Sequence, residues 1–201
     1  MKKILVLLSA LLIISCKKEE TSGHSVRDAI SSVQTLNKMG NATENIEKRG
    51  EELKKTAPVS NDEFKTAVPE TLLGMSRKEL SLGETSMMEM NSATARYHSE
   101  NGNEITLIIN DGAGEMGSSL YTLTKLGLAA DVEKQNEYGW QKTMDIAGNK
   151  SVVEEEKNAD FITSKITFIA KDRYLISLNS QGLTVEELKK AVSEINFNTL
   201  P

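Results

Sequence analysis

The chain has 201 residues, of which 24 are basic and 29 acidic, so its formal net charge at pH 7 is −5. This length allows one compact domain of about 100–200 residues with a further segment beside it. Apolar residues make up 38% of the chain and aromatic residues 4%, a balance that predicts a globular protein with an aliphatic core. The negative charge argues against nucleic acid as a partner, because phosphates repel an acidic surface.

The first 16 residues have the pattern of a bacterial export signal. Lys2 and Lys3 precede an apolar run over residues 4–14, which is short of the roughly 20 residues that a membrane-spanning helix needs. Ile13-Ile14-Ser15-Cys16 resembles the lipobox of bacterial lipoproteins, in which a small residue precedes a cysteine. The resemblance implies removal of residues 1–15 as a signal peptide, a diacylglyceryl group and a further acyl chain of the palmitate kind on Cys16, and membrane attachment through that lipid.

The residues after Cys16 bear on where the protein is displayed. Lys18-Glu19-Glu20 resembles the tag that sends some Gram-negative lipoproteins to the outer face of the outer membrane. Loss of Lys2 and Lys3 would leave 22 basic and 29 acidic residues, a net charge of −7, so the surface offers no polybasic attraction to anionic lipid. We therefore expect an outer-membrane lipoprotein anchored at the cell surface, with the periplasmic face as the alternative. An ordinary charged tether would have the same composition.

The mature chain divides into three parts. Residues 16–24 form a polar tether. Residues 25–57 are predicted to be a helical stalk, with Val26, Ile30 and Val33 on one face and a second, highly charged stretch that is either solvated or loosely docked. Residues 58–201 form the globular domain.

The domain has the element order of an α+β fold. Ser60 with Glu63, and Thr184 with Glu187, form capping boxes that begin two helices. A helix over residues 116–129 is predicted to bury Leu120, Leu123, Leu126 and Gly127. Strands are predicted over residues 93–97, 105–109, 139–146, 150–155, 161–170 and 174–179. We expect an antiparallel sheet of about six or seven strands packed with helices on at least one face. This order resembles the PsbP-type fold of exported bacterial lipoproteins, a resemblance that implies no function.

The strands over residues 93–97 and 105–109 form the first predicted hairpin, and the length of its loop determines how they pair. A three-residue loop, Glu100-Asn101-Gly102, with Gly102 in the left-handed conformation would place Ala93, Ala95 and Tyr97 opposite Ile109, Leu107 and Ile105. A two-residue loop would instead place Tyr97 opposite Thr106. The first register gathers one apolar face, so it is the one we predict.

Gly112, Gly114 and Gly117 match the G-x-G-x-x-G pattern of dinucleotide-binding proteins and lie between a predicted strand and a predicted helix. Asn110 and Asp111 separate the apolar strand from the first glycine, and the segment after the helix is polar where a buried parallel strand is needed. We therefore expect a glycine-rich turn, with no cofactor. If these glycines do bind a ligand, a small anion at the helix start is the candidate.

The other residues with potential chemistry have simpler interpretations. Met75 and the stretch Met87-Met88-Glu89-Met90 could supply thioether ligands for Cu(I), but core packing is the commoner use of methionine. His24 and His98 lack a partner pattern for metal or catalysis, and His98 is predicted to face solvent. The run 154–156 is predicted to be a solvated strand end, in which alternation places Glu155 on the face opposite to its neighbours. Trp140 is predicted to be an anchor at the core or the sheet edge.

These patterns predict a non-enzymatic binding or interaction protein held to a membrane through Cys16. The first alternative is a carrier for a small apolar or anionic molecule, in a pocket between sheet and helices lined by Leu120, Leu123, Ile162 and Ile166. The second is an enzyme of unrecognised mechanism.

Overall fold

The computed structural model describes residues 42–85, 90–158 and 161–201. The predicted signal peptide, Cys16 with its tether, the Lys-Glu-Glu tag, His24 and the stalk up to residue 41 lie outside the described residues. So do Met87, Met88 and Glu89.

One antiparallel sheet dominates the fold. Its spatial order is β1-β2-β3-β4-β9-β8-β7-β6-β5, and its strands, in chain order, are Thr71–Leu72, Met75–Thr85, Met90–His98, Glu104–Asp111, Glu133–Gln135, Gly139–Ile146, Asn149–Lys157, Ile162–Ala170 and Tyr174–Gln181. Within the described residues, the sheet therefore has nine strands, more than the six or seven expected. The additional strands are β1, β2 and β5, two of which are very short and lie at the sheet edges.

Helices cover both faces of the sheet, which confirms the α+β class. They are α1 over residues 42–54, α2 (Asn61–Ala67), α3 (Gly114–Ala129) and α4 (Val185–Glu194), followed by a short 3₁₀ helix at Phe197–Thr199. In the described part of the chain, no helix has the length and apolar character needed to cross a membrane.

Local sequence signals determine the helix starts and the first hairpin as predicted. Ser60 and Thr184 both form complete capping boxes with the glutamate three residues later. Ala93, Ala95 and Tyr97 pair with Ile109, Leu107 and Ile105, and Gly102 has a φ of 82°. The predicted register is confirmed, because only this pairing puts the large apolar side chains of β3 and β4 on one face.

That apolar face packs under α2 and α4. Its core contains Tyr97, Leu107, Phe168 and Ile176 from the sheet, and the stripe of α4 is buried as predicted: Val185, Leu188, Val192 and Ile195. We call this side the covered face. Its continuous burial makes it the main source of stability in the domain.

The opposite face carries α1 and α3, but α3 presents a different side from the one expected. Gly117, Ser118, Tyr121 and Leu128 are buried, whereas Leu123 is 69% exposed and Leu126 is also exposed. Close packing at the helix start explains the rotation: a Cβ at Gly117 would lie 2.5 Å from the carbonyl oxygen of Asp111. Only glycine permits this approach, which turns Leu123 and Leu126 outward.

The charged helix α1 docks on the domain. Leu53 is fully buried in a small cluster with Tyr121, Leu128, Ile169 and Leu175. Arg49 lies 3.5 Å from Asp172 and Lys54 lies 3.1 Å from Glu115. Helix α1 accordingly belongs to the same compact unit as the rest of the described chain, so the folded domain begins before residue 58 and includes the C-terminal part of the predicted stalk.

Candidate functional site

The face opposite the covered one is only half covered by helices. Helices α1 and α3 lie over Val152, Ile169 and Leu175, and beyond them the strands present polar side chains. A cavity of about 520 Å³ opens there. We call it the sheet-face groove, and its polar residues on this side of the sheet are Arg96, Glu104, Thr106, Glu154, Glu156, Thr163, Lys165, Asn179 and Gln181.

Strand register organises the groove into two rows across β4, β9, β8 and β7. The first row contains Thr106, Asn179, Lys165 and Glu154, each paired with the next. The second contains Glu104, Gln181, Thr163 and Glu156 in the same order. With strands about 4.8 Å apart, three steps between strands give each row a length of about 14 Å.

The groove contains charged side chains of both signs, and in the described part of the chain most of them form no salt bridge across it. Arg96 lies 3.5 Å from Glu79, and His98 lies 3.7 Å from Glu104 at the rim. Of the salt bridges among described residues, none involves Glu154, Glu156 or Lys165. These groups therefore have hydrogen-bonding capacity that the described chain does not use.

The central member of the acidic run behaves differently from its neighbours. Glu155 is only 8% exposed, so the prediction of solvation was wrong at this position, whereas its predicted facing, opposite to Glu154 and Glu156, is confirmed. Alternation in β7 turns Glu155 toward α4, where its carboxylate accepts a hydrogen bond of 2.9 Å from the backbone N–H of Val185. A carboxylate at a helix N-terminus is favoured by the free amides and the dipole there, which gives Glu155 a structural role.

The glycine-rich turn between β4 and α3 is closely packed around a buried carboxylate. Strand β4 continues through Asp111, so the strand runs directly into Gly112, contrary to the separation expected. A Cβ at Gly112 would clash with the backbone carbonyl of Arg173. The carboxylate of Asp111 accepts hydrogen bonds from the backbone N–H groups of Val59, at 2.7 Å, and Ala113, at 3.0 Å.

Arg173 completes this arrangement. Its Nε and Nη2 atoms donate to the two carboxylate oxygens of Asp111 at 2.7 and 2.9 Å, and Asp111 is fully buried. These hydrogen bonds raise the pKa of the Arg173 guanidinium. The protein's own carboxylate thus lies at the start of α3, and the sheet around it is antiparallel, unlike the parallel sheet of dinucleotide-binding folds. The structure gives Gly112 and Gly117 a packing role, while Gly114 adopts a φ of 78°.

Shifted pKa values in the described chain belong to groups with structural contacts. Burial raises the pKa values of Tyr97 and Tyr174 to about 12. Hydrogen bonds from the capping residues lower those of Glu63 and Glu187. None of these four side chains lines the sheet-face groove. The shifted pKa values of these four residues therefore mark helix caps and buried tyrosines, and they give no support to acid–base chemistry in the groove.

The carrier pocket expected from the sequence does not form with its predicted lining. Leu123 is exposed on α3, and Ile166 lies in the core of the covered face, so the sheet separates it from Leu120. Met75 and Met90 are buried, and the described residues contain no group of three or more His, Cys, Asp or Glu side chains suited to a metal ion. Trp140 packs at the edge of the main core, and His98 is exposed, both as predicted.

Neither protein-family models, nor curated proteins, nor solved structures gave a match to this chain.

Proposed function

We propose that this chain is an exported lipoprotein, anchored through lipid on Cys16, whose domain is a non-enzymatic binding module that recognises a charged protein surface in the sheet-face groove. The observation that carries the proposal is the pair of polar rows on a sheet face that α1 and α3 leave uncovered. The opposite face is closed by apolar packing. One side of the sheet thus stabilises the domain, and the other is available for recognition.

The chemistry of the groove favours a protein partner. Small-molecule sites are mostly apolar with few polar groups, whereas the groove is lined by charged, amide and hydroxyl side chains with no aromatic residue among them. Arg96 and Lys165 can meet carboxylates, while Glu154 and Glu156 can meet lysine or arginine. Complementary charges of this kind provide specificity and faster association more than raw affinity.

Charge reversal tests the groove directly. The full chain with Arg96→Glu and Lys165→Glu should lose a partner that the unchanged chain captures by photo-crosslinking in its native cells. The matched control, Lys65→Glu with Lys190→Glu, makes the same charge change at exposed positions on α2 and α4. Loss in the groove variant with retention in the control supports the proposal; equal capture by both variants, or by neither, refutes it.

The anchor is tested separately. Cys16→Ser should abolish incorporation of labelled palmitate and leave the signal uncut, because the lipid-bearing thiol is gone. Brief protease treatment of intact cells should remove the domain of the unchanged protein from the surface. Palmitate incorporation by the Cys16→Ser variant, equal to that of the unchanged chain, would contradict the anchor.

A further inference from the structure

A second cavity lies between the helices and the sheet, away from the groove. Its volume is about 510 Å³, within the range of about 300–1,000 Å³ typical of small-molecule sites. Its floor consists of four buried side chains: Ile46 on α1, Tyr121 and Leu128 on α3, and Ile169 on β8. We call it the lysine-rimmed pocket, because Lys125, Lys150 and Lys171 surround this floor.

The rim is positive in a protein that is acidic overall. Arg49 adds a fourth positive charge at 3.5 Å from Asp172, and the acidic groups that contact these cations are Asp172, Asp131 and Glu52. Four cations against three carboxylates leave a local excess of one positive charge, whereas the whole chain carries −5. The pocket is thus electrostatically complementary to an anion.

Lys150 is the rim cation most ready to change partner. Its Nζ atom lies 2.9 Å from a carboxylate oxygen of Asp131 and 3.0 Å from the carbonyl oxygen of Ala129. The side chain of Asp131 is 90% exposed, so this ion pair is weak and competes with water. By contrast, Asp172 is shared by Lys125, Arg49 and the Tyr121 hydroxyl.

We infer that the lysine-rimmed pocket binds a single-chain amphiphile with an anionic head, of the kind represented by a free medium-chain carboxylate. The alkyl chain lies on the floor of Ile46, Leu128 and Ile169, and the carboxylate pairs with Lys150. An apolar floor provides affinity through burial of the chain, and a charge-assisted hydrogen bond at the rim orients the head. This site is independent of the sheet-face groove and goes beyond the binding function proposed for it.

The test uses the full chain in phosphatidylcholine nanodiscs and decanoate bearing a photoreactive diazirine near the end of its tail. Irradiation should place the adduct in the peptides of α1, α3 or β8 that form the floor. Unlabelled decanoate should compete about tenfold better than decanol, because only the carboxylate pairs with a lysine. An adduct elsewhere in the chain, or equal competition by decanol, overturns the inference.

Two matched pairs of variants locate the ligand. Lys150→Met should weaken competition by decanoate about tenfold, whereas Lys165→Met in the groove should not change it. Ala129→Phe fills the pocket from an exposed position and should abolish the adduct, whereas Ala130→Phe, one residue later and outside the lining, should retain it. An unchanged thermal midpoint shows that Ala129→Phe is folded, and an adduct that survives this substitution contradicts the site.

Nanodiscs containing phosphatidylglycerol separate a free carboxylate from an anionic membrane headgroup. Because the anionic discs repel the carboxylate probe, the yields are compared at equal free probe concentration, where a free amphiphile predicts the same adduct yield as in phosphatidylcholine. Suppression of the adduct by phosphatidylglycerol would assign the lysines to a lipid surface instead and overturn the inference.

Discussion

The two faces of the sheet use the same strands for different purposes. Along β4, Ile105, Leu107 and Ile109 point into the covered face, and Glu104 and Thr106 point into the groove between them. The alternation of a single strand therefore places a core residue and a groove residue side by side. Side chains on the groove side can therefore be substituted with little effect on the free energy of unfolding, because they do not contribute to the core on the other side.

Charge pairs on the two sides show the same contrast. Asp111 and Arg173 form two hydrogen bonds in a site where the carboxylate is fully buried, whereas both side chains of the Arg96–Glu79 pair are more than half exposed. Removing one partner of a buried pair leaves an uncompensated charge. Exposed pairs contribute little, because water screens them.

The largest expected effect is that of Arg173→Met. It should lower the free energy of unfolding by about 3–5 kcal/mol, because Asp111 remains buried without its cation. Arg96→Met, the matched change in the groove, should cost less than about 1 kcal/mol. Urea denaturation of both variants of the full chain measures the difference, and similar losses would break the contrast between the two sides.

Adjacent residues of β4 give the next largest effect. Leu107→Ala should destabilise the domain by about 2–5 kcal/mol, because it opens a cavity in the main core. Thr106→Ala, one residue away in the groove, should change the free energy of unfolding by no more than about 0.5 kcal/mol. A comparable cost at Thr106 would show that the groove has a structural role.

The smallest expected effect is a pH dependence at Asp172. Burial opposes ionisation of this carboxyl, but hydrogen bonds from Lys125 and Tyr121 outweigh burial and lower its pKa from the usual 3.8. A lowered folded-state pKa stabilises the protein above the unfolded-state value and loses that contribution as pH falls through the folded-state value.

The stability difference between the unchanged chain and Asp172→Asn should therefore be largest near pH 6 and shrink below about pH 4, and it should stay below about 1 kcal/mol because the site is half exposed. Thermal unfolding from pH 3 to pH 7 measures it. A difference that grows on acidification would reverse the assigned sign.

Elements with a strong local sequence signal could be predicted from the sequence. Capping boxes located the starts of α2 and α4, and the apolar alternation around Gly102 determined the register of β3 and β4. Strand β2 lacked such a signal, because its sequence, MSRKELSLGET, is rich in residues that favour helices and poor in β-branched ones. Its strand structure follows from pairing with β3 along almost its whole length.

The candidate sites depend on tertiary placement that no local pattern contains. The leucines of α3 form a convincing buried stripe in sequence, yet the close contact of Gly117 with Asp111 rotates the helix and exposes Leu123. Polar alternation in β4, β7, β8 and β9 predicts only that one side is solvated. A groove forms because α1 and α3 cover only part of that side. How far they extend over it depends on contacts between segments that are distant in the sequence.

The central claim is that the groove is a partner-binding surface. Lysine acetylation with a membrane-permeant reagent, read by mass spectrometry in intact cells and on the purified full chain, tests it most directly. Lys65 on α2, which is exposed and outside the groove, serves as the internal reference. If a partner occupies the groove in cells, the acetylation of Lys165 relative to that of Lys65 should be lower in cells than in the purified protein. Equal relative reactivity of Lys165 in the two settings would contradict the claim.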